Sequence, residues 1–187
     1  MARDAEQTKQ RLLEAAISEF AAYGIAGARV DRVAAAAGCN KAMIYSYFGS
    51  KEGLFDAAFD ERTAAFFEAV PFDAGDLAGY TGRAFDYFDE HPETLRLSTW
   101  YRLERSEAEH LAAITEVNDV RLREIGRAQR EGEISGHFSP VQLLVLIQAL
   151  SAAWHSTNPE LGPHLPSARA GRRRTLVEAV QGLLALK

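Results

Sequence analysis

Residues Val30 to Leu54 read VDRVAAAAGCNKAMIYSYFGSKEGL. A short alanine-rich helix, a break at Gly38, a second short helix and the opening of a third have the spacing of a helix-turn-helix. The second helix of such a unit can enter the DNA major groove. Small side chains make the corner feasible, because Ala34, Ala37 and Gly38 let two helices cross closely. Asn40 can cap the following helix through its side-chain oxygen. Within that helix Ile44 and Phe48, spaced i, i+4, take the inward side. Lys41, Tyr45, Ser46 and Tyr47 are then left outward, with donors for phosphates and base edges. Free N–H groups at the helix start favour an anion. Ser50 can cap the next helix, where Lys51 adds a charge beside the same face.

The rest of the chain carries no β-branched alternation. Ala, Leu, Glu and Arg dominate, so an all-α protein of about nine helices is expected. The first helix spans roughly Ala5 to Tyr23, with Leu12, Leu13, Ala16, Ile17 and Phe20 on one stripe and Gly24 as its stop. The fourth carries Leu54, Phe55, Ala58, Phe59 and Phe66 on one side. The segment PFDAGD from Pro71 breaks the pattern and is expected to be a hinge between units. A fifth helix from Leu77 turns Tyr80, Ala84, Phe85 and Phe88 inward and ends at His91-Pro92. The sixth runs to about Arg105. Capping boxes at Ser106/Glu109 and Ser139/Gln142 open the seventh and eighth. NPELGPHLP is expected as a loop, and a ninth helix runs from about Ser167.

Composition bounds the function classes. With 187 residues, 47% of them apolar, the chain can bury a real core. The lone Cys39 cannot form an internal disulfide; a small buried cysteine is the plain reading, a redox switch the sharper one. The first ten residues are too polar for a secretory signal. The apolar run Leu143 to Trp154 is shorter than the ~20 residues a bilayer needs, so a cytoplasmic protein is expected. A net charge of −5 is the wrong sign for indiscriminate coating of nucleic acid. Residues 1–55 hold seven Lys/Arg and six Asp/Glu, a charge of +1, and the remainder carries −6. DNA binding would therefore use a few placed groups, doubled in a dimer.

The pattern of Gly24, Gly27, VDRVAAAAG, Asn40-Lys41, Ile44-Tyr45, Tyr47-Phe48 and Lys51-Glu52-Gly53-Leu54 resembles the TetR family of transcriptional repressors. The C-terminal two thirds are similar to it only in length and helix count. The resemblance implies a helix-turn-helix DNA-binding domain over residues 1–50 and a helical ligand-binding and dimerisation domain over residues 51–187. It implies DNA contacts from Asn40, Lys41, Ala42, Tyr45 and Tyr47, with Lys51 on a phosphate. Where the family often has a hydroxyl residue this chain has Ala28, and Arg29 beside it is expected to take that phosphate. The resemblance further implies a homodimer through the eighth and ninth helices, a palindromic operator and release by a small-molecule effector. The apolar residues on those helices are Leu143, Leu144, Ile147 and Leu150, then Leu176, Val177, Val180, Leu183 and Leu184, more than one helix face needs.

Candidate effector contacts are Trp100 and Tyr101, Asn118 and Trp154. Asn118 lies on the apolar stripe Leu111, Ile114, Leu122 and Ile125, so it needs an internal partner or a ligand. The aromatic residues could equally be core, and Trp154-His155 packing or a dimer contact. Arg172-Arg173-Arg174 is expected to be a solvated helix start. The five histidines show no metal-ligand spacing, no cofactor is indicated, and no triad, paired-carboxylate or phosphate-loop arrangement stands out, so an enzyme is not expected. The alternative is a small-molecule sensor or interaction module with a vestigial helix-turn-helix. The intact set Lys41, Tyr47 and Lys51 argues against it.

Overall fold

The structure, a computed structural model, describes residues 2–105, 112–157 and 159–186. The described residues form nine α-helices and no strand. These are α1 (Ala2–Gly27), α2 (Val30–Ala37), α3 (Lys41–Phe48), α4 (Lys51–Ala69), α5 (Leu77–Glu90), α6 (Pro92–Glu104), α7 (Ala112–Arg130), α8 (Pro140–Ala152) and α9 (Arg169–Leu184). Two 3₁₀ helices, Ala74–Asp76 and Pro159–His164, occupy the segments expected as hinge and loop. The Ser106/Glu109 capping box, His110 and Leu111 lie outside the described residues. Gly24 interrupts α1 as expected, with φ 71° and ψ −176°. At Ser139 the backbone N–H donates to Gln142 Oε1 at 2.9 Å, one arm of the expected capping box.

The chain divides into two compact units, Met1–Phe66 with His91–Glu107, and Phe67–Glu90 with Ala108–Lys187. The division falls inside α4 at Phe66, neither at residue 50 nor at the Pro71 hinge. In addition, α6 belongs to the first unit, where it lies along α1. The reason is a set of long-range polar contacts that no local pattern encodes. Arg96 Nε and Trp100 Nε1 both donate to Ala21 O, at 2.8 and 3.4 Å. Glu104 accepts from the N–H groups of Ile25 and Ala26, at 3.1 and 2.7 Å. The core beneath is apolar: Leu12, Ala16, Phe20, Leu54, Phe55, Ala58 and Leu97 are buried. Phe20 meets Phe55 edge-on at 5.2 Å, and the Phe59 and Tyr101 rings stack at 4.8 Å.

In the second unit α5 packs against both α8 and α9. Its Leu77, Tyr80, Ala84, Phe85 and Phe88 are buried, as are Ile125 on α7, Leu143, Leu144 and Ile147 on α8, and Leu176 and Val180 on α9. The last turns of α5 carry Asp86, Asp89 and Glu90, at the helix end where acids are least favourable. Basic residues of α9 answer them: Arg173 Nε lies 2.7 Å from Asp86 and Arg169 Nε 2.9 Å from Asp89. Arg172 also reaches Asp89, at 3.6 Å. The expected solvated run Arg172–Arg174 is thus largely an anchor, with only Arg174 of the three exposed.

Candidate nucleic-acid interface

The corner forms for local reasons. Gly38 ends α2 in the left-handed region (φ 64°, ψ 36°), which a side chain disfavours. Cys39 N–H closes the turn on Ala34 O at 2.9 Å. The Cys39 side chain is half-buried and its sulfur sits 3.3 Å from Ala37 O. Asn40 then starts α3, its Oδ1 accepting from Ala42 N–H at 2.9 Å. Ser50 starts α4 in the same way, accepting from Gly53 N–H at 3.0 Å.

Ile44 is fully buried and pins α3 to the unit. That fixes the rotation of the helix and places Asn40, Lys41, Ala42, Tyr45 and Ser46 on the exposed side. Tyr45 is 46% exposed and lies one turn beyond Lys41, so the two share a face. Tyr47 is only half-buried, not fully outward, and its ring contacts Phe48 edge-on at 6.1 Å. Arg29 is exposed at the entry to α2. Lys51 is half-buried, and its Nζ lies 3.4 Å from Ala26 O.

Lys41 is not a free cation. Its Nζ lies 2.9 Å from Asp31 Oδ1 on α2. The hydrogen bond to Asp31 holds the Lys41 ammonium above its ordinary value, and the same bond holds the Asp31 carboxyl below its own. Both groups are exposed, so the pair is screened and can be exchanged for a phosphate.

A second pair braces the corner from behind. Glu19 on α1, 9% exposed, accepts from Arg32 Nε at 2.8 Å and from Arg29 N–H at 2.8 Å. Burial pushes the Glu19 carboxyl up, but the Arg32 guanidinium and the Arg29 N–H outweigh it and leave it below 4.5. Its folded value lies below its unfolded one, so the contribution is complete above the unfolded value and is lost as pH falls through the folded value. Glu19→Gln is expected to lower stability by about 1 kcal/mol at pH 7, after discounting for the partly exposed Arg32. The gap to wild type, measured by thermal unfolding, should narrow as pH falls through the folded value.

The candidate effector residues are divided between the two units. Trp100 and Tyr101 belong to the first unit, Trp100 bonded to Ala21 O and Tyr101 stacked on Phe59. Asn118 and Trp154 belong to the second. There Gln148 Nε2 lies 3.5 Å from Asn118 Oδ1, an internal partner, and Trp154 Nε1 donates to Arg172 O at 3.0 Å. Sequence reasoning missed Glu19, Asp31, Arg32 and Glu104, which position the corner. Their partners lie on other helices, so no periodicity reveals them.

This head is that of a helix-turn-helix DNA-binding protein. A family model described as "Bacterial regulatory proteins, tetR family" matches residues 12–58, and one described as "Tetracyclin repressor-like, C-terminal domain" matches residues 76–181. The chain belongs to the TetR family of transcriptional regulators. It is 40% identical over 162 residues to the HTH-type transcriptional repressor SCO4008 of Streptomyces coelicolor, spanning 86% of this chain and 84% of that one. The crystal structure of SCO4942, also from Streptomyces coelicolor, matches with a TM-score of 0.86 at 38% identity, covering 95% of this chain and 98% of that one. A TetR-like regulator from Rhodococcus sp. RHA1 shares the fold, with a TM-score of 0.70 at 19% identity and coverage of 96% and 97%. No helix among the described residues is long and apolar enough to cross a membrane.

Proposed function

We propose that the chain is a cytoplasmic, dimeric repressor that binds a palindromic operator through α3 of each head and is released by a small molecule held in its second unit. The carrying observation is the orientation of α3, with Ile44 buried and Lys41 and Tyr45 outward. Asn40, Ala42 and Tyr47 extend that contact along α3, and Arg29 and Lys51 take phosphates on either side. A two-fold dimer would set two such helices about 34–36 Å apart, one turn of duplex.

The dimer surface we infer is the outer side of α8 together with α9. Leu143, Leu144 and Ile147, expected on that surface, are used up inside the unit, yet Val141 and Val145 remain 54% and 57% exposed. These two lie i, i+4 on α8, the remnant of an apolar face. Domain 1–50 remains the DNA-contacting part and 51–187 the effector and dimer part, even though the compact units divide elsewhere. Linkage makes operator and effector oppose each other, and complete release needs an effector preference of about 10⁴-fold for the non-binding shape.

The test is a gel shift with the DNA flanking the chain's own gene. A retarded complex of one dimer per site is expected. Its affinity should fall about 10³-fold between 50 and 200 mM salt if some six phosphates are neutralised. Absence of any shift at low salt would sink the reading.

A further inference from the structure

One buried charge in the second unit has no counter-charge among the described residues. Arg121, on α7, is only 5% exposed. It forms no ion pair among the described residues, and its Nε is enclosed without a hydrogen-bond partner. Among the less buried arginines of the same unit, Arg83 is answered by Asp76, Arg127 by Glu131, Arg169 and Arg173 by Asp86, and Arg172 by Asp89, while Arg123, Arg130 and Arg174 are exposed to solvent. Arg121 meets aromatic rings instead. Its guanidinium carbon lies 4.8 Å from the centre of the Phe67 ring, 5.2 Å from Phe72 and 5.6 Å from Tyr80. Phe72 and Tyr80 themselves meet edge-on at 5.1 Å.

Ring faces attract a cation but do not accept the in-plane N–H groups of a guanidinium. An uncompensated charge taken out of water is far costlier than an exposed one. Tyr80 does not supply the missing anion. Burial pushes its phenol up, against the pull of Arg121 and Arg83, so it stays protonated. The group a guanidinium pairs with best is a planar oxyanion. The three rings beside it offer an apolar wall for whatever carries that anion.

We propose that Arg121 anchors the effector, and that the effector is a small amphipathic carboxylate. Its carboxylate pairs with the guanidinium, and its apolar body lies against Phe67, Phe72 and Tyr80. This rests on the reading of the second unit as the effector domain and names the chemistry that domain selects.

The experiment uses the full chain and its operator, with 2-naphthoate as probe, neutral 2-naphthamide as its near-isostere and 2-naphthylmethylammonium as the cation. Naphthoate should raise the thermal unfolding midpoint of the wild type, and the amide and ammonium should raise it far less. Arg121→Met should weaken naphthoate binding at least 10-fold while leaving the weak amide binding unchanged. Arg121→Lys, which keeps the charge and loses the fork, should weaken it several-fold and serves alone if the methionine variant does not fold. Equal binding of amide or ammonium by the wild type, or wild-type naphthoate affinity in both variants, overturns the proposal. Gel shifts separate it from the reading beneath it. Arg121-dependent naphthoate binding without operator release upholds the anion site and sinks the effector role. Operator release that persists in both variants upholds the effector role and sinks the anchor.

Discussion

Replacing Lys41 and Tyr45 together with alanine is expected to weaken operator binding more than 100-fold while the protein keeps its helical content and its oligomeric state. Both side chains stand on the exposed side of α3, so their loss opens no cavity. The helix stays pinned by Ile44 and started by Asn40. What disappears is, in each head, one cation and one aromatic donor at the DNA face. In a dimer each loss counts twice. Losing a base-edge contact from Tyr45 costs about 1–3 kcal/mol in each head, and losing a phosphate contact from Lys41 adds to it, so two heads together exceed a 100-fold change. Lys41 alone has a separable signature. Removing one phosphate contact from each head should lower the slope of log affinity against log salt by about 2. The Asp31 pair does not undercut this. An exposed lysine leaves an aspartate for a phosphate readily, and the alanine variant merely returns Asp31 to solvent. Gel shifts across a salt series, with circular dichroism and sedimentation as controls, check the outcome. Unchanged affinity in the double variant would mean that α3 does not face DNA.

The parts of this protein written in short-range chemistry were legible from the amino-acid order. Gly38 in the left-handed turn, Asn40 and Ser50 at helix starts, Ile44 inward and the stripe from Leu12 to Phe20 all act within one or two turns of chain. Each could be deduced from a residue and its neighbours. What was not legible depends on distant partners. Trp100 and Tyr101 read equally as effector contacts or as core, because aromatic spacing on a helix is silent about which helix lies opposite. In the fold they meet α1 and α4. The same silence hid Arg172 and Arg173, whose answering carboxylates come from Asp86 and Asp89 on α5. On α8 the apolar residues were legible, but which of them the rest of the unit covers was not. Leu143, Leu144 and Ile147 turn inward, and Val141 and Val145 are left out. Lys41 was correctly placed on the surface, but its pairing with Asp31 across the corner needs the crossing of α2 and α3, which no one-dimensional pattern supplies.

Gly24→Ala is expected to be among the most damaging single substitutions in the head, lowering stability by about 3 kcal/mol. Two independent effects add there. The backbone sits at φ 71° and ψ −176°, a region that is essentially glycine's alone and costs any other residue of order 1–3 kcal/mol. A methyl group at this position would also lie within 3 Å of the Trp100 ring and closer still to Glu104 Oε1. Those are the side chains by which α6 holds the end of α1. For a domain of this size the unfolding midpoint should fall by about 6–12 °C. A double-mutant cycle with Glu104→Ala separates the two effects. Removing the carboxylate clears part of the space, so the glycine substitution should be less harmful in that background by the steric share and still harmful by the torsional share. Strict additivity would show that the clash with Glu104 contributes nothing. The same turn also holds two side chains of the head. Ala26, whose N–H is held by Glu104, offers its carbonyl to Lys51, and the Gly27 carbonyl receives Arg32 Nη2 at 3.3 Å. Displacing Glu104 therefore loosens the platform from which Lys51 reaches its proposed phosphate. Operator affinity in Glu104→Ala should fall with most of the head's stability intact, which ties α6, 78 residues along the chain, to the grip of the helix-turn-helix.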